Sequence, residues 1–413
     1  MTEQPAVARG ATRTAERALA PDLARGFMLL LIAMSNTGFH LWAAPHGPSG
    51  WHPVDGSAAD RVVQFLMITM LDLRIYPLFA FLFGYGMMRV LQRQVAAGTS
   101  PRRAVALLRR RSLLLVAFGF VHAALFLASE ILAFYGLVSL FLGWLFLRRL
   151  WRRSGTLLVW AAVSLALSLL LEGEALWAAL TWNLDAVGEP ATEATVEVVG
   201  TGLSDPLAAA ARRLETWAWV AGFGSVAWLV TPEILLGFWA ARRQVLERPA
   251  GHRRLLGWTA AVGIPLGWLG GLPAALAHVG AVDVPARAVS EGGALPALAD
   301  ATGLAAGLGY VALFGLLAVW LPERLRSARP LVAVTAVGKR SLSSYLAHSA
   351  IFAPLLSAWG LGLGAALGSA SMALFAVGVW LVTVVIADRL ERAGRTGPAE
   401  ALLRRLMYGR ARP

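Results

Sequence analysis

The sequence predicts an all-α, polytopic integral membrane protein with about ten transmembrane helices and both termini in the cytoplasm. Hydrophobic residues make up 57% of the 413 residues and charged residues only 15%, whereas a soluble domain carries about 25% charged residues. Apolar runs of about 20 residues, the length that crosses a bilayer as a helix, recur along the whole chain. Arginines are clustered between these runs, as in the loops of multi-span proteins.

Each apolar run gives one candidate span. The second run is longer than a bilayer requires and contains Asp72, Arg74 and Pro77, so we expect a break there and a span that begins near Tyr76. The candidate spans cover residues 26–44, 62–91, 112–128, 131–147, 156–171, 217–241, 255–277, 301–321, 333–359 and 364–387.

The distribution of charge predicts the orientation. With the N-terminus inside, the outer loops 45–61, 172–216 and 278–300 hold four arginines against 13 acids. Basic clusters such as those at 109–111 and 339–340 then lie at inner edges of spans, which is the positive-inside pattern. The predicted location is therefore the cell (inner or plasma) membrane.

The chain is predicted to form one transmembrane domain, residues 26–387, between a cytoplasmic arm, 1–25, and an amphipathic cytoplasmic tail, 388–413. The net charge of +13 is interpreted as a topology signal, so the lipid bilayer is the expected partner and nucleic acid is not. The absence of cysteine excludes disulfides and thiolate sites. The oligomeric state stays open, a homodimer included.

Four polar residues from different candidate spans fall in one layer near the middle of the bilayer. Measured from the inner basic edges at about 1.5 Å per residue, Asn36, His122, Glu233 and His348 lie roughly 12–16 Å deep. Ionisable groups at that depth are costly and by default mark a site or a pathway. The alternative is that each one only joins neighbouring helices by hydrogen bonds.

Three further residues lie toward the outer side. Glu130 follows Ser129 at the turn into the fourth span, where a structural role at the helix N-terminus and a functional role are both open. His46 lies in a Pro/Gly-rich loop with other histidines whose spacing does not favour a metal site, so no metal is predicted and His46 is a candidate base. Arg74 is a candidate clamp for an anion or a carbonyl group.

Several motifs resemble those of a known family. The stretch "GFVHAALFLASEILAFYGL" resembles the hallmark hairpin of the YeiB-like membrane family, long catalogued as a domain of unknown function, with matches at His122, Glu130 and Tyr135. "RIYPLFAFLFGYG" is similar to the family's basic-aromatic element and places Arg74 at its basic position. "GKRSLSSYLAHS", which contains Arg340 and Tyr345, resembles a late element, and "TGPAEALLRRLMYG" resembles the C-terminal signature.

The YeiB-like family is similar in turn to the transmembrane acyltransferase-3 and heparan glucosaminide acetyltransferase families. "ARGFMLLLIAMSN" resembles their first-span element, with Arg25 and Asn36 matching, and "APHGPSGW" resembles the segment that carries a catalytic histidine, which would be His46. The resemblance implies transfer of an acyl group from cytoplasmic acyl-CoA, as co-substrate, to a small or lipid-linked acceptor. No tightly bound cofactor is expected.

The sequence therefore suggests roles that remain to be separated. His122 or His46 would act as the general base, oriented by Glu130 or Glu233, and Asn36 or Arg74 would stabilise an oxyanion. His348 belongs to the same catalytic layer. The expected substrate-binding side chains are Arg25, Arg74, Tyr135, Arg340 and Tyr345. A proton-coupled small-molecule transporter that uses the midplane His/Glu set is the competing interpretation.

Overall fold

The computed structural model describes residues 18–147, 153–189, 195–226 and 230–409. Within these ranges the regular secondary structure is helical, and the β-type pairing is an isolated bridge between His46 and Pro53. Most of the predicted N-terminal arm, the arginines at 148–149 and 152, and the end of the tail from Arg410 lie outside the described residues.

The helices follow one another with short connections. In chain order they are α1 (Leu19–Ser35), α2 (Ala58–Met70), α3 (Ile75–Ala96), α4 (Pro101–Leu125), α5 (Ile131–Leu142), α6 (Ser154–Leu171), α7 (Gly173–Leu180), α8 (Thr195–Val198), α9 (Pro206–Val226), α10 (Thr231–Arg242), α11 (Arg253–His278), α12 (Ala286–Val289), α13 (Ala294–Trp320), α14 (Glu323–Arg326), α15 (Arg329–Lys339), α16 (Ser341–Leu356), α17 (Ser369–Arg392) and α18 (Pro398–Tyr408). A 3₁₀ turn, Asn36–His40, extends α1, and a π-helical turn, Gly143–Leu147, extends α5.

The apolar helices fit a membrane protein. Among the described residues, four helical segments are long and apolar enough to cross a bilayer: Ser154–Leu171, Pro249–His278, Ala286–Trp320 and Ser369–Arg392. A fifth span results if α2 and α3, which are bent by 43° at their junction, count as one. Many outward-facing side chains of these segments are large and apolar, as in Leu170, Trp258 and Leu374, which suits contact with lipid.

The second predicted span is broken where its polar residues lie. α2 ends at Met70 and α3 begins at Ile75, with Leu73 between them at φ 60°. A left-handed leucine is rare and persists only where neighbouring groups fix it. Here the carbonyl of Leu73 packs against Gly303 of α13, where an added Cβ would lie 2.1 Å from that oxygen.

Two predicted spans are divided in the structure. The run 333–359 separates into α15 and α16 at Arg340, and the run 217–241 separates into α9 and α10, whose first turn contains Pro232. The cause at Arg340 lies in the C-terminal tail, because Glu400 accepts hydrogen bonds from the amides of Leu342 (2.8 Å) and Ser343 (3.1 Å). A distant carboxylate thus caps a new helix start, as a local N-cap would.

The predicted outer loops contain more structure than expected. The range 172–216 includes α7, α8 and the start of α9, and the range 278–300 includes α12 and the start of α13. The two ranges share a small apolar cluster with Ala178, Leu184, Ala288 and Leu295 at its centre. Short helices of the two ranges therefore bury a small apolar core together.

Close packing of small residues brings α1 and α15 together. A Cβ on Gly338 of α15 would lie 1.8 Å from the carbonyl oxygen of Asp22 in α1, and one on Gly26 would lie 2.2 Å from that of Val334. Small residues allow helices to approach this closely inside membranes. The contact places Arg25 of α1 beside Lys339 and the start of α16.

Candidate functional site

A cavity lies among α1, α3, α4, α5, α15, α16 and α18. Its volume of about 320 Å³ is in the range of small-molecule sites. One end is basic and the other is apolar and aromatic, which suits a ligand with an anionic head and a less polar arm. The cationic side chains that line this basic cavity are Arg25, Arg89, Arg93, Arg111 and Lys339.

Carboxylates neutralise part of this basic end. The ion pairs are Arg89 Nε–Glu247 Oε1 (2.6 Å), Lys339 Nζ–Glu391 Oε1 (2.6 Å) and Arg25 Nη1–Asp22 Oδ1 (3.5 Å). Glu247 is also held by the hydroxyl of Tyr85. These pairs fix the wall of the cavity at several points and leave less cationic charge for a ligand.

Arg111 differs from the other cations of the cavity. Its guanidinium lies over the ring of Phe83, 5.1 Å from the ring centre, and close enough to Arg25 for the two like charges to interact. It faces no carboxylate among the residues that the structure describes. A half-buried guanidinium in this position favours an anionic ligand, with which it forms charge-assisted hydrogen bonds.

Tyr345 forms the wall at the far end of the basic cavity. Its side chain also lines a second, much smaller cavity of about 10 Å³, a space that holds about one water molecule. Asn36, His40 and His348 line that small cavity, together with apolar residues such as Phe352. The basic cavity and the small polar cavity therefore share one lining side chain, that of Tyr345.

His122 lies on the α4 side of this wall. It is 1% exposed, its ring stacks on that of Tyr345 with centroids 5.2 Å apart, and Phe126 packs edge-on against it at 5.8 Å. Neither ring nitrogen has a hydrogen-bond partner in the described part of the chain. The predicted support by Glu233 is absent there, so the structure holds the ring by packing and leaves its protonation site unassigned.

Glu130 is buried rather than at the outer surface. Its carboxylate accepts hydrogen bonds from the amides of Leu132 (2.5 Å) and Ala133 (3.0 and 3.1 Å) and from the indole of Trp217 (2.8 Å). Trp217 belongs to α9, which covers the tip of the α4–α5 hairpin. Glu130 is the N-cap of α5, and neither His122 nor Arg74 is among these partners.

The predicted midplane layer is not one cavity. Asn36 and His348 share the small cavity, and Nε2 of His348 lies 3.3 Å from the hydroxyl of Thr383. His122 lies beside it behind Tyr345. Glu233 lies apart in the first turn of α10, and its Oε2 has no hydrogen-bond partner in the described residues. Its carboxylate is within electrostatic range of Tyr76 and Tyr135.

A buried histidine–carboxylate pair that sequence reasoning missed lies near the C-terminal end of α1. Nε2 of His52 is 2.7 Å from Oδ2 of Asp72, and Ser35 donates to Oδ1 of the same carboxylate at 2.9 Å. His52 is 3% exposed, and the ring of His278 packs edge-on at 5.8 Å. The carboxylate orients His52 and favours the tautomer that leaves Nδ1 as proton acceptor.

This pair lies next to the small cavity in the chain, because Ser35 precedes Asn36. The only sequence signal was the presence of Asp72 at the break in the second apolar run, since an acid at that depth needs a partner. The two residues are 20 positions apart in the chain, and α2 lies between them. Their contact therefore depends on how the loop before α2 folds back onto the α2–α3 junction.

Arg74 is fully buried beside the same break. Its guanidinium donates to the carbonyl oxygen of Asp72 and, at 2.7 Å, to that of Gly267. α11 admits it because a Cβ on Gly271 would lie 2.1 Å from Nη2. Arg74 therefore ties the α2–α3 junction to α11, and two of its donor directions already point at backbone carbonyls.

His46 and Arg340 line neither of the two cavities. Nδ1 of His46 lies 2.8 Å from the carbonyl oxygen of Ala44, and burial lowers the pKa of His46 from its ordinary value. Arg340 donates to Glu391 at 2.7 Å and to the carbonyl oxygen of Arg395 at 2.5 Å. Arg340 thus anchors the segment that leads into the tail, whereas Arg25, Tyr135 and Tyr345 line the basic cavity.

Comparisons with known proteins find relatives without an established function. A family model described as "Protein of unknown function (DUF418)" matches residues 240–410. The chain is 27% identical over 377 residues to "Uncharacterized protein YxaH" of Bacillus subtilis (strain 168), an alignment that covers 87% of this chain and 84% of the relative. No solved structure matches.

Proposed function

We propose that the chain is a transmembrane acyltransferase that takes an acyl group from acyl-CoA in the basic cavity and transfers it to a hydroxyl or amine acceptor. The observation that carries the proposal is how the parts connect. The basic cavity contains Arg111, which faces no carboxylate among the described residues, and shares Tyr345 with the small polar cavity that Asn36 lines. Ser35, the neighbour of Asn36 in the chain, donates to Asp72 of the oriented His52–Asp72 pair.

The proposed topology has about ten spans, both termini in the cytoplasm and the basic cavity open to the cytoplasm. The positive-inside distribution of arginines supports this orientation. Acyl-CoA is a cytoplasmic metabolite, so the donor would enter on the side where the cationic residues lie. The His52–Asp72 pair would then face an acceptor, small or lipid-linked, on the outer side of the membrane.

The donor's phosphates are anions that Arg111, Arg25 and Lys339 can bind in the basic cavity. Guanidinium groups suit phosphate because they donate two parallel hydrogen bonds. The pantetheine arm would follow the less polar wall formed by Leu115, Tyr135 and neighbouring apolar residues. The thioester would then lie near Tyr345.

The chemistry is a direct acyl transfer. A general base removes the proton from the acceptor hydroxyl or amine, whose oxygen or nitrogen attacks the thioester carbonyl carbon. The carbonyl oxygen becomes negatively charged, and Asn36, which lines the small cavity, is the proposed amide donor to it. The C–S bond then breaks, the acceptor carries the acyl group, and the CoA thiolate takes up the proton.

His52 is the base that the geometry supports best among three candidates. Its partner Asp72 fixes its tautomer, as a base in acyl transfer requires. His122 has no such partner and His46 bonds only a backbone carbonyl in the described residues. A positioned base contributes about 10²–10⁴-fold to the rate.

A proton-coupled transporter is the alternative, and one observation favours it. Tyr76 hydrogen-bonds Asp300, which is also bonded to Glu172, and Glu233 lies within electrostatic range of Asp300. Buried carboxyl groups that share protons are typical of proton pathways. Transport predicts proton flux across liposome membranes without CoA, whereas acyl transfer predicts CoA-thiol release.

Binding of CoA to purified protein tests the donor site. We expect CoA and acetyl-CoA to bind to the wild type in isothermal titration, and 3′-dephospho-CoA to bind more weakly. Arg111→Ala should weaken CoA binding by about tenfold, or about 1.4 kcal/mol, because it removes a charge-assisted hydrogen bond. Arg110→Ala is the matched control, since Arg110 is exposed on the same helix.

Release of the CoA thiol from acetyl-CoA tests the base. His52→Ala should lower the rate by about 100-fold or more while CoA still binds, and His46→Ala should leave both unchanged. Absence of CoA binding to the wild type contradicts the proposed donor. Full turnover of His52→Ala, or loss of turnover in His46→Ala, contradicts the assignment of the base.

A further inference from the structure

Tyr345 is the side chain that both cavities share. It is 5% exposed and lines the basic cavity on one side and the small polar cavity on the other. The two cavities differ in size by about thirtyfold, with about 320 Å³ and about 10 Å³. The side chain of Tyr345 is thus a wall common to the basic cavity and to the small cavity that Asn36 lines.

The ring is held in place mainly by packing. It stacks on the ring of His122 with an angle of 26° between the planes. Its hydroxyl accepts one long hydrogen bond, 3.4 Å, from the amide of Ile131. Since the hydrogen bond is weak and the ring stacks on His122, the aromatic ring rather than the hydroxyl forms the wall that the two cavities share.

The start of α16 is fixed by the tail, which makes the wall firm. Glu400 accepts from the amides of Leu342 and Ser343 and, at 2.5 Å, from the hydroxyl of Ser343. Tyr345 follows within the next turn of the same helix. A wall whose backbone is capped in this way does not retreat easily when a larger ligand pushes against it.

We propose that Tyr345 determines the length of the acyl group that the protein accepts, restricting it to acetyl-sized groups. The proposal rests on the acyltransferase function proposed above. An acetyl group at the thioester ends near the ring, whereas each further methylene has to enter a space that holds about one water molecule or displace the ring. Close packing makes such overfilling unfavourable.

Two substitutions separate the ring from the hydroxyl. Tyr345→Phe keeps the ring and should keep the preference for short acyl groups. Tyr345→Ala removes the ring, joins the two cavities and should admit longer chains. Tyr135→Ala is the matched control, because Tyr135 is the same residue type and is also buried. Of the two cavities, Tyr135 lines only the basic one.

The measurement is a set of dissociation constants for CoA, acetyl-CoA, butyryl-CoA and hexanoyl-CoA with each purified protein. Wild type and Tyr345→Phe should bind acetyl-CoA at least about tenfold more tightly than hexanoyl-CoA, which is the discrimination a tight pocket achieves. In Tyr345→Ala the ratio of the two dissociation constants should fall below about threefold. Tyr135→Ala should retain the wild-type ratio.

The outcomes distinguish this proposal from the function on which it rests. If the wild type binds no CoA, both fall. If CoA binds but the wild type does not discriminate by length, or Tyr345→Ala discriminates as the wild type does, the role of Tyr345 is wrong and the donor site stands. A shift in Tyr135→Ala equal to that in Tyr345→Ala also overturns the role. Tyr345→Leu provides the same comparison if the alanine variant does not fold.

Discussion

Replacement of Glu130 tests whether its carboxylate serves the fold. The side chain is 2% exposed and accepts from the amides of Leu132 and Ala133 and from the indole of Trp217. Loss of an N-cap side chain costs about 0.5–2 kcal/mol, and a buried donor left without an acceptor costs about 1–3 kcal/mol. Since these terms overlap, Glu130→Ala should lower the free energy of unfolding by about 2–4 kcal/mol.

Glu130→Gln should cost less, about 1–2 kcal/mol, because one oxygen still accepts while the new amide group faces a donor. The free energy is measured by denaturant titration in detergent micelles at fixed pH. Glu174→Ala is the matched control, because Glu174 is an exposed acid in the first turn of α7 and should cost about 0.3–1 kcal/mol at most. If Glu130→Ala costs no more than this control but abolishes CoA-thiol release, the carboxylate acts in the chemistry and the structural account is wrong.

Two further predictions concern stability. Gly338→Ala should destabilise the protein by about 1–3 kcal/mol in the same titration, because its Cβ would overlap the carbonyl of Asp22. Gly378→Ala is the control and should not destabilise the protein, because a Cβ there meets nothing within 4 Å. Equal losses of stability in the two variants would refute the close packing of α1 on α15. Burial lowers the pKa of His46 in the folded protein, so the unfolded chain binds more protons and the free energy of unfolding should fall as the pH drops below about 6.5. His46→Gln should make the free energy of unfolding less dependent on pH in this range. An unchanged pH profile in His46→Gln would contradict this prediction.

The interruption of the second apolar run could be predicted from the sequence. Asp72, Arg74 and Pro77 are incompatible with a straight, lipid-facing helix, and the structure places the junction at 71–74 with α3 beginning at Ile75. Pro77 lies in the first turn of α3, a position where proline is tolerated because the missing amide has no helical partner there. The sequence was sufficient to predict this break because the polar residues that cause it lie within a few residues of it.

The division of the run 333–359 could not be predicted in the same way. Lys339 and Arg340 interrupt its apolar pattern, but the group that caps α16 is Glu400, which lies in a different helix. The His52–Asp72 pair was missed for the same reason, since it needs a loop to fold back onto the α2–α3 junction. Hydropathy reports which segments are apolar and contains no information about such partners.

The hydrogen bonds around the α4–α5 hairpin show that His122 and Glu130 have different environments. Both carboxylate oxygens of Glu130 accept hydrogen bonds, from backbone amides and from the indole of Trp217. A proton transfer through Glu130 would therefore first have to break the N-cap of α5. His122 lies one helical turn beyond Gly119, where the carboxylate packs, yet bonds to none of the described residues. Its flat contact is with Tyr345, so its effect on a reaction would act through the position of that ring. The spacing of two polar residues in a hairpin therefore does not make them a catalytic pair; their partners decide what each one does.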